Sequence, residues 1–251
     1  MVAADGGPQP ARIVFLVNAE PDNYEADRTI PALATSIRER RGHACVVIRG
    51  EGPLTGLRFP GLETLDDADL LVIFFRRSAL TPEQFGRIRR HLAAGKPLAG
   101  IRTANHAFSV KDTPAPGHEK WWEFVPQALG CENRGYGGVA AGVDVAVAAG
   151  RADHPILTGV EPRSWHSQGP LYVVKPLVDG AADVLLTGTS GTFTAEPIAW
   201  TRLAGKSRVF YTSLGHPTDF ELPHYRRLLE NGIEWALGRL EPTAADPARE
   251  P

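Results

Sequence analysis

Short apolar runs alternate with amphipathic segments over the first hundred residues, and this alternation constrains the fold more than any other feature of the sequence. The runs predict buried strands at residues 13–17, 44–48, 70–75 and 98–101. A helix is expected between the first two, with apolar side chains at helical spacing from Ile30 to Ile37, and Thr81-Pro82-Glu83-Gln84 marks the start of another. Because strands joined by helices form right-handed crossovers, the pattern predicts a mostly parallel central sheet with helices on both faces.

Further strands are expected in the second half, where short apolar runs are separated by glycine-containing turns. They are predicted at residues 143–147, 171–174, 184–186, 198–201 and 209–213, with a hairpin turn at Ala204-Gly205-Lys206. Residues 143–201 are therefore expected to extend one edge of the sheet. A short helix is expected within residues 119–129, and a final helix carries an apolar face from Tyr225 to Ala236.

The two ends of the chain differ in composition from the rest. Residues 1–11 are rich in glycine and proline, and residues 241–251 contain three prolines and no large apolar side chain. Both are predicted to be disordered tails, which leaves residues 12–240 as a single α/β domain.

Charge and hydropathy exclude several classes of protein. The 27 Lys and Arg residues are balanced by 29 Asp and Glu residues, so no nucleic-acid partner is expected. The longest apolar run, residues 70–75, is far shorter than the roughly 20 residues of a membrane span, so no membrane partner is expected either. The start of the chain has no signal-peptide pattern, which predicts a cytoplasmic protein, with a secreted or periplasmic one as the alternative if a leader has been removed.

Sequence motifs that accompany metals and cofactors are missing. The two cysteines, Cys45 and Cys131, are too few for a disulfide scaffold or a cysteine-rich metal centre. The sequence contains no His-x-x-x-His, His-x-His or Asp-x-His pair, and no Walker, Gly-x-Gly-x-x-Gly or Gly-x-Ser-x-Gly motif. The expectation is a site without a metal and without a cofactor.

Three segments carry a family resemblance. The most specific is the C-terminal block, which includes Pro197-Ile198-Ala199-Trp200-Thr201, the run from Gly205 to Gly215-His216, and Asn231-Gly232-Ile233-Glu234-Trp235-Ala236. The others are residues 95–108, with Gly100-Ile101-Arg102 and His106-Ala107-Phe108, and Asp153-His154-Pro155-Ile156 followed by Thr158-Gly159. Together they resemble the ThuA-like (trehalose-utilisation) family. The resemblance implies a flavodoxin-like fold related to the class I glutamine amidotransferases, and a link to carbohydrate metabolism.

Two departures from the amidotransferase pattern argue against glutamine hydrolysis. Amidotransferases of this class place a nucleophilic cysteine at the sharp turn after a strand, but here Gly100-Ile101 is followed by Arg102, which cannot act as a nucleophile. Their His-Pro-Glu is matched only by His216-Pro217, with Thr218 in the third place. Neither Cys45 nor Cys131 lies near that turn, and both are interpreted as idle thiols.

The loops after the parallel strands hold the candidate catalytic residues, because ligands of such sheets bind at the carboxyl ends of the strands. His216 and His106 are predicted to transfer protons, since a histidine titrates near neutral pH. Arg102 is predicted to hold an oxyanion or a pair of hydroxyls. The alternatives are a loop-capping His216, a His106 packed under the tryptophans, and an Arg102 that only ties loops together.

Substrate-binding residues are predicted in the same loops. Asn18 and Glu20 follow the first strand, Arg76 and Arg77 follow the third, and Asp219 and Glu221 follow His216; a solvated loop or a plain charge pair is the alternative for the first two groups. Trp121 is predicted to stack on a sugar ring, with Trp122 and His118 beside it in a lid, against the alternative of core aromatics. His154 and His166 lie in predicted turns with a lesser chance of reaching the site, and His43 and His91 are predicted to be surface residues.

These observations lead to one main hypothesis and one rival. The main hypothesis is an enzyme that acts on a sugar or (keto-)glycoside by histidine and carboxylate acid–base chemistry. The rival is a non-catalytic carbohydrate-binding or assembly module on a degenerate amidotransferase scaffold. The predicted partner is a small carbohydrate, and a symmetric homodimer is compatible with the sequence.

Overall fold

The computed structural model describes residues 9–137, 139–178 and 180–240. The described helices are α1 (Ala26–Arg41), α2 (Pro82–Ala93) and α3 (Pro223–Ala236). The strands are β1 (Arg12–Val17), β2 (Ala44–Arg49), β3 (Leu70–Phe74), β4 (Leu98–Ile101), β5 (Tyr136–Gly137), β6 (Val143–Val147), β7 (Ser164–Ser167), β8 (Leu171–Tyr172), β9 (Asp183–Ser190), β10 (Phe193–Ala204) and β11 (Ser207–Thr212). Most of the two predicted tails, residues 1–8 and 241–251, lies outside the described residues.

One large sheet organises the protein. Its strand order is β2-β1-β3-β4-β11-β10-β9-β6-β7. The first five strands are parallel, whereas β10, β9, β6 and β7 each run antiparallel to their neighbours. The parallel part has the strand order of flavodoxin-like proteins, and the antiparallel part is the predicted extension of one edge. A separate ribbon pairs β5 with β8.

Alternating side chains of the central strands enter two apolar cores, one on each face of the sheet. Ile13, Phe15 and Val17 of β1 pack with side chains of α1 and α3, whereas Val14 and Leu16 pack with side chains of α2 on the other face. Residues of β3 are buried throughout for the same reason. The continuous apolar runs in the sequence are therefore the signature of strands covered by helices on both faces.

The predicted helix boundaries have identifiable causes. The side chain of Thr81 accepts a hydrogen bond from the backbone N–H of Gln84 at 3.3 Å and Pro82 occupies the first turn, so α2 begins where the motif indicated. Helix α1 ends at Gly42, whose φ of 71° is the left-handed conformation that glycine adopts without strain.

Several sequence-based expectations differ from the structure in detail. The predicted helix within residues 119–129 is a single turn at Val125–Leu129, and β8 ends at Tyr172 rather than at residue 174. Strand β7 was not predicted, because Ser164–Ser167 is a polar edge strand without an apolar run.

The prediction that His43 and His91 lie at the surface is wrong, because both are buried. The Nε2 of His43 lies 2.8 Å from Glu234 Oε1, which joins the end of α1 to α3. The Nε2 of His91 lies 3.0 Å from the carbonyl oxygen of Pro97, and burial lowers its pKa below the usual 6.5. Each histidine therefore anchors the end of a helix to a neighbouring part of the fold.

None of the described helices has the length and the apolar character that crossing a bilayer requires.

Candidate functional site

A cavity of about 400 Å³ lies at the carboxyl ends of the parallel strands. Loops after β1, β3, β4 and β11 form most of its wall, and the β5–β8 ribbon adds Tyr136 and Tyr172. This is the position that the sheet topology predicted for a ligand. Its lining residues are Pro21, Asp22, Tyr24, Glu25, Arg76, Arg77, Thr103, His106, Tyr136, Val139, Pro170, Tyr172, His216 and Pro217.

Asn23 holds three of these loops together. Its Nδ2 donates to the carbonyl oxygens of Asn18 at 3.1 Å and Phe74 at 3.0 Å, and its Oδ1 accepts from Thr103 Oγ1 at 2.6 Å. The fully buried amide therefore links the ends of β1 and β3 to the turn after β4. The wall of the cavity is built on a satisfied polar network.

Backbone strain is concentrated at this site. Tyr24, Glu25, Arg77 and Arg102 have φ values of 53°, 50°, 47° and 45°, and no other non-glycine residue in the described ranges has a positive φ. Each such residue costs about 1–2 kcal/mol relative to a right-handed conformation. Strain of this kind persists where surrounding structure over-determines it, which is common at functional sites.

Arg102 occupies the sharp turn after β4 but lies beneath the cavity rather than in its wall. It is only 1% exposed, and its guanidinium lies 3.9 Å from the Tyr24 ring centroid and 5.0 Å from that of Tyr172. Its Nη1 donates to the carbonyl oxygen of Ser213 at 2.7 Å, and Tyr211 donates to the Arg102 carbonyl at 2.8 Å. The structure thus places Arg102 as a support for two aromatic walls.

His106 follows Arg102 by one turn and lines the cavity. It is 4% exposed, and its Nδ1 lies 2.5 Å from Asn105 Oδ1 and 2.9 Å from Asn133 Nδ2. The Asn105 contact requires a proton on Nδ1 and the Asn133 contact requires a lone pair there, so the two amides favour opposite tautomers. Among the described residues, Nε2 has no hydrogen-bond partner.

The pKa of His106 lies well below its usual 6.5. Burial is the main cause, and the positive charges of Arg77, Arg76 and Arg102 add to it. His106 is therefore a neutral imidazole at pH 7.

The two arginines after β3 differ in their partners. Arg76 Nη1 lies 3.1 Å from Glu20 Oε2 and 2.6 Å from Asp22 Oδ2, so its charge is neutralised by the loop after β1. Arg77 forms no ion pair within the described part of the chain, and its buried Nε has no hydrogen-bond partner there. Arg77 is the cation of this wall that remains available to an anion or a developing negative charge.

His216 and Asp219 are placed in the loop after β11. Asp219 is buried, and its Oδ2 accepts hydrogen bonds from the N–H groups of Gly215 and His216, both at 2.9 Å, and from Ser167 Oγ at 3.0 Å. The imidazole of His216 lies edge-on to Tyr24, and its Nδ1 lies 2.8 Å from Thr218 Oγ1. Burial lowers the pKa of His216, and the carboxylate of Asp219 partly offsets this. Asp219 therefore orients the loop that carries His216.

The structure brings only some of the predicted site residues together. His106, His216 and Arg76 line the cavity, and Glu20, Arg102 and Asp219 support them from behind. Asn18 is buried next to Asn23, and Glu221 is exposed; neither lines the cavity. Trp121 stacks on Phe108 with ring centroids 5.8 Å apart and belongs to a cluster of core aromatics.

Other residues of the wall were missed by sequence reasoning. Tyr24 lies in the loop already singled out after β1, so its position was a readable signal. Tyr136 and Tyr172 come from the β5–β8 ribbon, which has two residues in each strand and no detectable pattern. The same ribbon brings Pro170 and Val139 to the cavity.

Cysteine chemistry is not available at this site. Burial raises the pKa of the Cys45 thiol to about 11 and that of Cys131 to about 12. Neither cysteine lines the cavity. Within the described ranges, no three His, Cys, Asp or Glu side chains converge as metal ligands would.

The strand order and the position of the cavity define a flavodoxin-like α/β protein. The ThuA family model, described as trehalose utilisation, matches residues 15–236. The chain belongs to the ThuA family, as the C-terminal block around Gly215-His216 indicated.

Several solved structures share this fold. A ThuA-like protein from Bacteroides uniformis is 16% identical with a TM-score of 0.69, over 96% of this chain and 97% of that one. Another from Parabacteroides merdae is 17% identical with a TM-score of 0.64, over 95% and 94%. A β-galactosidase from Rahnella sp. R3 is 16% identical with a TM-score of 0.55, over 90% of this chain and 31% of that one. These likenesses support the fold alone. No curated protein sequence matches the chain.

Proposed function

We propose that this protein acts on a sugar derivative that carries a ring carbonyl, such as a keto-glycoside, by removing a proton next to the carbonyl. The observation that carries the proposal is the pairing of a neutral imidazole with an unpaired guanidinium in one wall of the cavity. His106 and Arg77 both line the cavity. The backbone N–H of Arg77 donates to the backbone carbonyl oxygen of His106 at 2.8 Å, which fixes the two residues next to each other. A base beside a cation suits a reaction that develops an enolate oxyanion.

The remaining wall suits a sugar. Tyr24, Tyr136 and Tyr172 present aromatic rings, on which the apolar faces of sugar rings stack. The exposed carboxylate of Asp22 can accept a hydrogen bond from a hydroxyl while it pairs with Arg76. The volume of about 400 Å³ falls in the usual range for small-molecule sites. The family description, trehalose utilisation, points to the same class of ligand.

The carboxylates of the site are already engaged, which favours carbonyl chemistry over direct glycoside hydrolysis by two carboxylic acids. Asp22 pairs with Arg76, and Glu25 accepts a hydrogen bond of 2.6 Å from Arg28 Nε. Asp219 Oδ2 is occupied by two backbone N–H groups and Ser167. The acid and base of a two-carboxylate glycosidase would have to come from these residues.

The proposed reaction is an elimination across the glycosidic bond followed by the addition of water. In the tautomer with Nδ1–H donating to Asn105, His106 Nε2 takes the proton from the carbon between the carbonyl and the anomeric carbon. The C–H electron pair forms a C=C bond, and the carbonyl oxygen becomes an enolate opposite Arg77. As the carbonyl reforms, the bond from the anomeric carbon to the leaving oxygen breaks, and that oxygen takes the proton that His106 Nε2 had accepted, which returns His106 to its neutral form. Addition of water to the unsaturated ketone completes a net hydrolysis.

Release of phenol from phenyl 3-keto-glucoside tests the proposal, together with deuterium exchange at the carbon next to the carbonyl. We expect wild type to catalyse both, and His106→Ala or Arg77→Ala to lose about 100-fold or more in kcat/KM. His154→Ala, whose side chain only caps a short helix, should retain the activity. Activity of His106→Ala equal to wild type would overturn the assignment of the base.

A non-catalytic carbohydrate-binding module is the second candidate. The contact between His216 Nδ1 and Thr218 Oγ1 at 2.8 Å favours it, because this contact uses the imidazole to hold the loop. Binding of the keto-glycoside without turnover or deuterium exchange would favour the module over the enzyme.

A further inference from the structure

A second cavity of about 400 Å³ adjoins the first. Arg77 and His106 line both cavities, so these two side chains form the partition between them. The other walls of the second cavity include Trp121, Trp122, Asn105 and Asn133, and none of these residues lines the first. The two cavities therefore meet at His106 and Arg77.

The two tryptophans of this cavity have different roles. Trp121 is held by Phe108, Phe85, Phe124 and the guanidinium of Arg89, which lies 4.6 Å from its ring centroid. Trp122 is 58% exposed. Among the described residues, the one aromatic or cationic group in contact with its ring is the Lys120 ammonium, 5.4 Å from the ring centroid. A large aromatic side chain left open at a cavity mouth is a stacking surface for a flat or ring-shaped group.

Polar groups at the partition complete the compartment. Asn105 is buried, and its Nδ2 has no hydrogen-bond partner in the part of the chain that the structure describes. Asn133 is held by a hydrogen bond of 3.0 Å from the Gly135 N–H to its Oδ1, with its Nδ2 at His106 Nδ1. Glu132 is paired with Arg134 at 2.8 Å, so the charge of this carboxylate is balanced next to the wall. An uncharged polar ring suits such a lining.

We propose that the second cavity is the leaving-group subsite of the keto-glycoside reaction, with Trp122 as the residue that selects large leaving groups. The proposal rests on the proposed function. The keto sugar would lie in the tyrosine-lined cavity, the bond that breaks would lie at the His106–Arg77 partition, and a second ring, either a sugar or a phenyl group, would pack against Trp122. Substrates would then be glycosides with a ring on each side of the linkage.

The test compares methyl and phenyl 3-keto-glucoside with Trp122→Ala, Trp122→Phe and Leu203→Ala. Leu203 is as exposed as Trp122, at 59%, and lines neither cavity, so Leu203→Ala is the matched control. For Trp122→Ala we expect the KM of the phenyl glycoside, and its Kd by calorimetry, to rise about three- to ten-fold. The methyl glycoside should be unaffected, and Trp122→Phe should restore most of the affinity for the phenyl glycoside.

Each outcome separates this proposal from the proposed function. A Kd that changes only for the phenyl glycoside supports the subsite even if no turnover occurs, in which case only the catalytic proposal fails. Equal effects on both glycosides, or no effect on either, overturn the subsite while turnover by wild type still supports the catalysis. Absence of binding by wild type overturns both.

Discussion

The guanidinium of Arg102 lies 3.9 Å from the centroid of the Tyr24 ring, at the sharp turn that follows β4. The cation supports the wall of the cavity from below, and Gly169 packs so closely on its other side that a Cβ there would be 2.6 Å from Arg102 Nη2. The residue at this turn therefore supports the wall of the cavity rather than lining it.

Replacing Arg102 with lysine should weaken the wall while keeping the charge. Lysine loses the planar stacking on Tyr24 and the hydrogen bond to the Ser213 carbonyl, so the free energy of unfolding should fall by about 1–3 kcal/mol. Urea denaturation measures this, and the Kd for the keto-glycoside should rise as the tyrosines lose their support. Arg208→Lys is the control, because Arg208 lies 4.1 Å from the ring centroid of Trp235, away from the site. Unchanged binding by Arg102→Lys would contradict the supporting role.

The charge of Arg77 should be visible in the titration of His106. Removing a neighbouring cation stabilises the imidazolium, so Arg77→Gln should raise the pKa of His106 toward its usual 6.5. The Cε1 proton chemical shift of His106 against pH reports it directly. Arg87→Gln, which removes a cation on α2 that is paired with Asp66 and Glu83 and lies outside the cavity lining, should leave it unchanged. An unshifted titration in Arg77→Gln would show that burial alone controls His106.

Stability should fall as the solution is acidified below about pH 6.5. His91, His106 and His154 have lowered pKa values in the folded protein, with burial the main cause in each. The unfolded chain therefore binds more protons than the folded one between the folded pKa values and 6.5, and protonation favours unfolding. Denaturation at pH 7.5 and pH 5.5 should show the loss, and His106→Gln should make it smaller. The same slope in His106→Gln and wild type would remove His106 from this linkage.

A methyl group at Gly169 should damage the protein where one at Gly180 does not. The Cβ of Gly169→Ala would meet the buried guanidinium of Arg102, and we expect a loss of about 1–3 kcal/mol in the free energy of unfolding. Gly180 has nothing within 4 Å of its Cβ position and no positive φ, so Gly180→Ala should change stability by less than about 0.5 kcal/mol. Thermal or urea denaturation of the two variants compares them. Equal stability of both would mean that Arg102 can move aside freely.

The parallel half of the sheet could be predicted because it is written in continuous apolar runs. Strands such as β1 and β3 are covered on both faces, and that burial requires consecutive apolar residues. The start of α2 at Thr81 could also be predicted, because it depends on a local hydrogen bond between the Thr81 side chain and the Gln84 backbone N–H. The polar edge strand β7 and the β5–β8 ribbon carry no such pattern, since only distant neighbours pair with them.

The site could be located from the sequence more readily than its roles could be assigned. The positions of His106, His216 and Arg76 could be predicted because each follows a strand of the parallel sheet. The carboxyl ends of such strands meet at one edge of the sheet, where ligands bind. Burial was the missing information: Arg102 is buried below the wall, and Trp121 is partly buried against the core aromatics. The ion-pair partner of each charged residue also depends on contacts between distant parts of the chain. Arg76 is paired with Glu20 and Asp22, whereas the adjacent Arg77 forms no ion pair among the described residues and remains available to an anion.

The four non-glycine residues with positive φ have a consequence for how a ligand would bind. Their conformations are imposed during folding, so the strained loops already have their shape before any ligand arrives. Association would then require little reordering of the main chain, and most of the affinity of the site would remain available to discriminate between ligands.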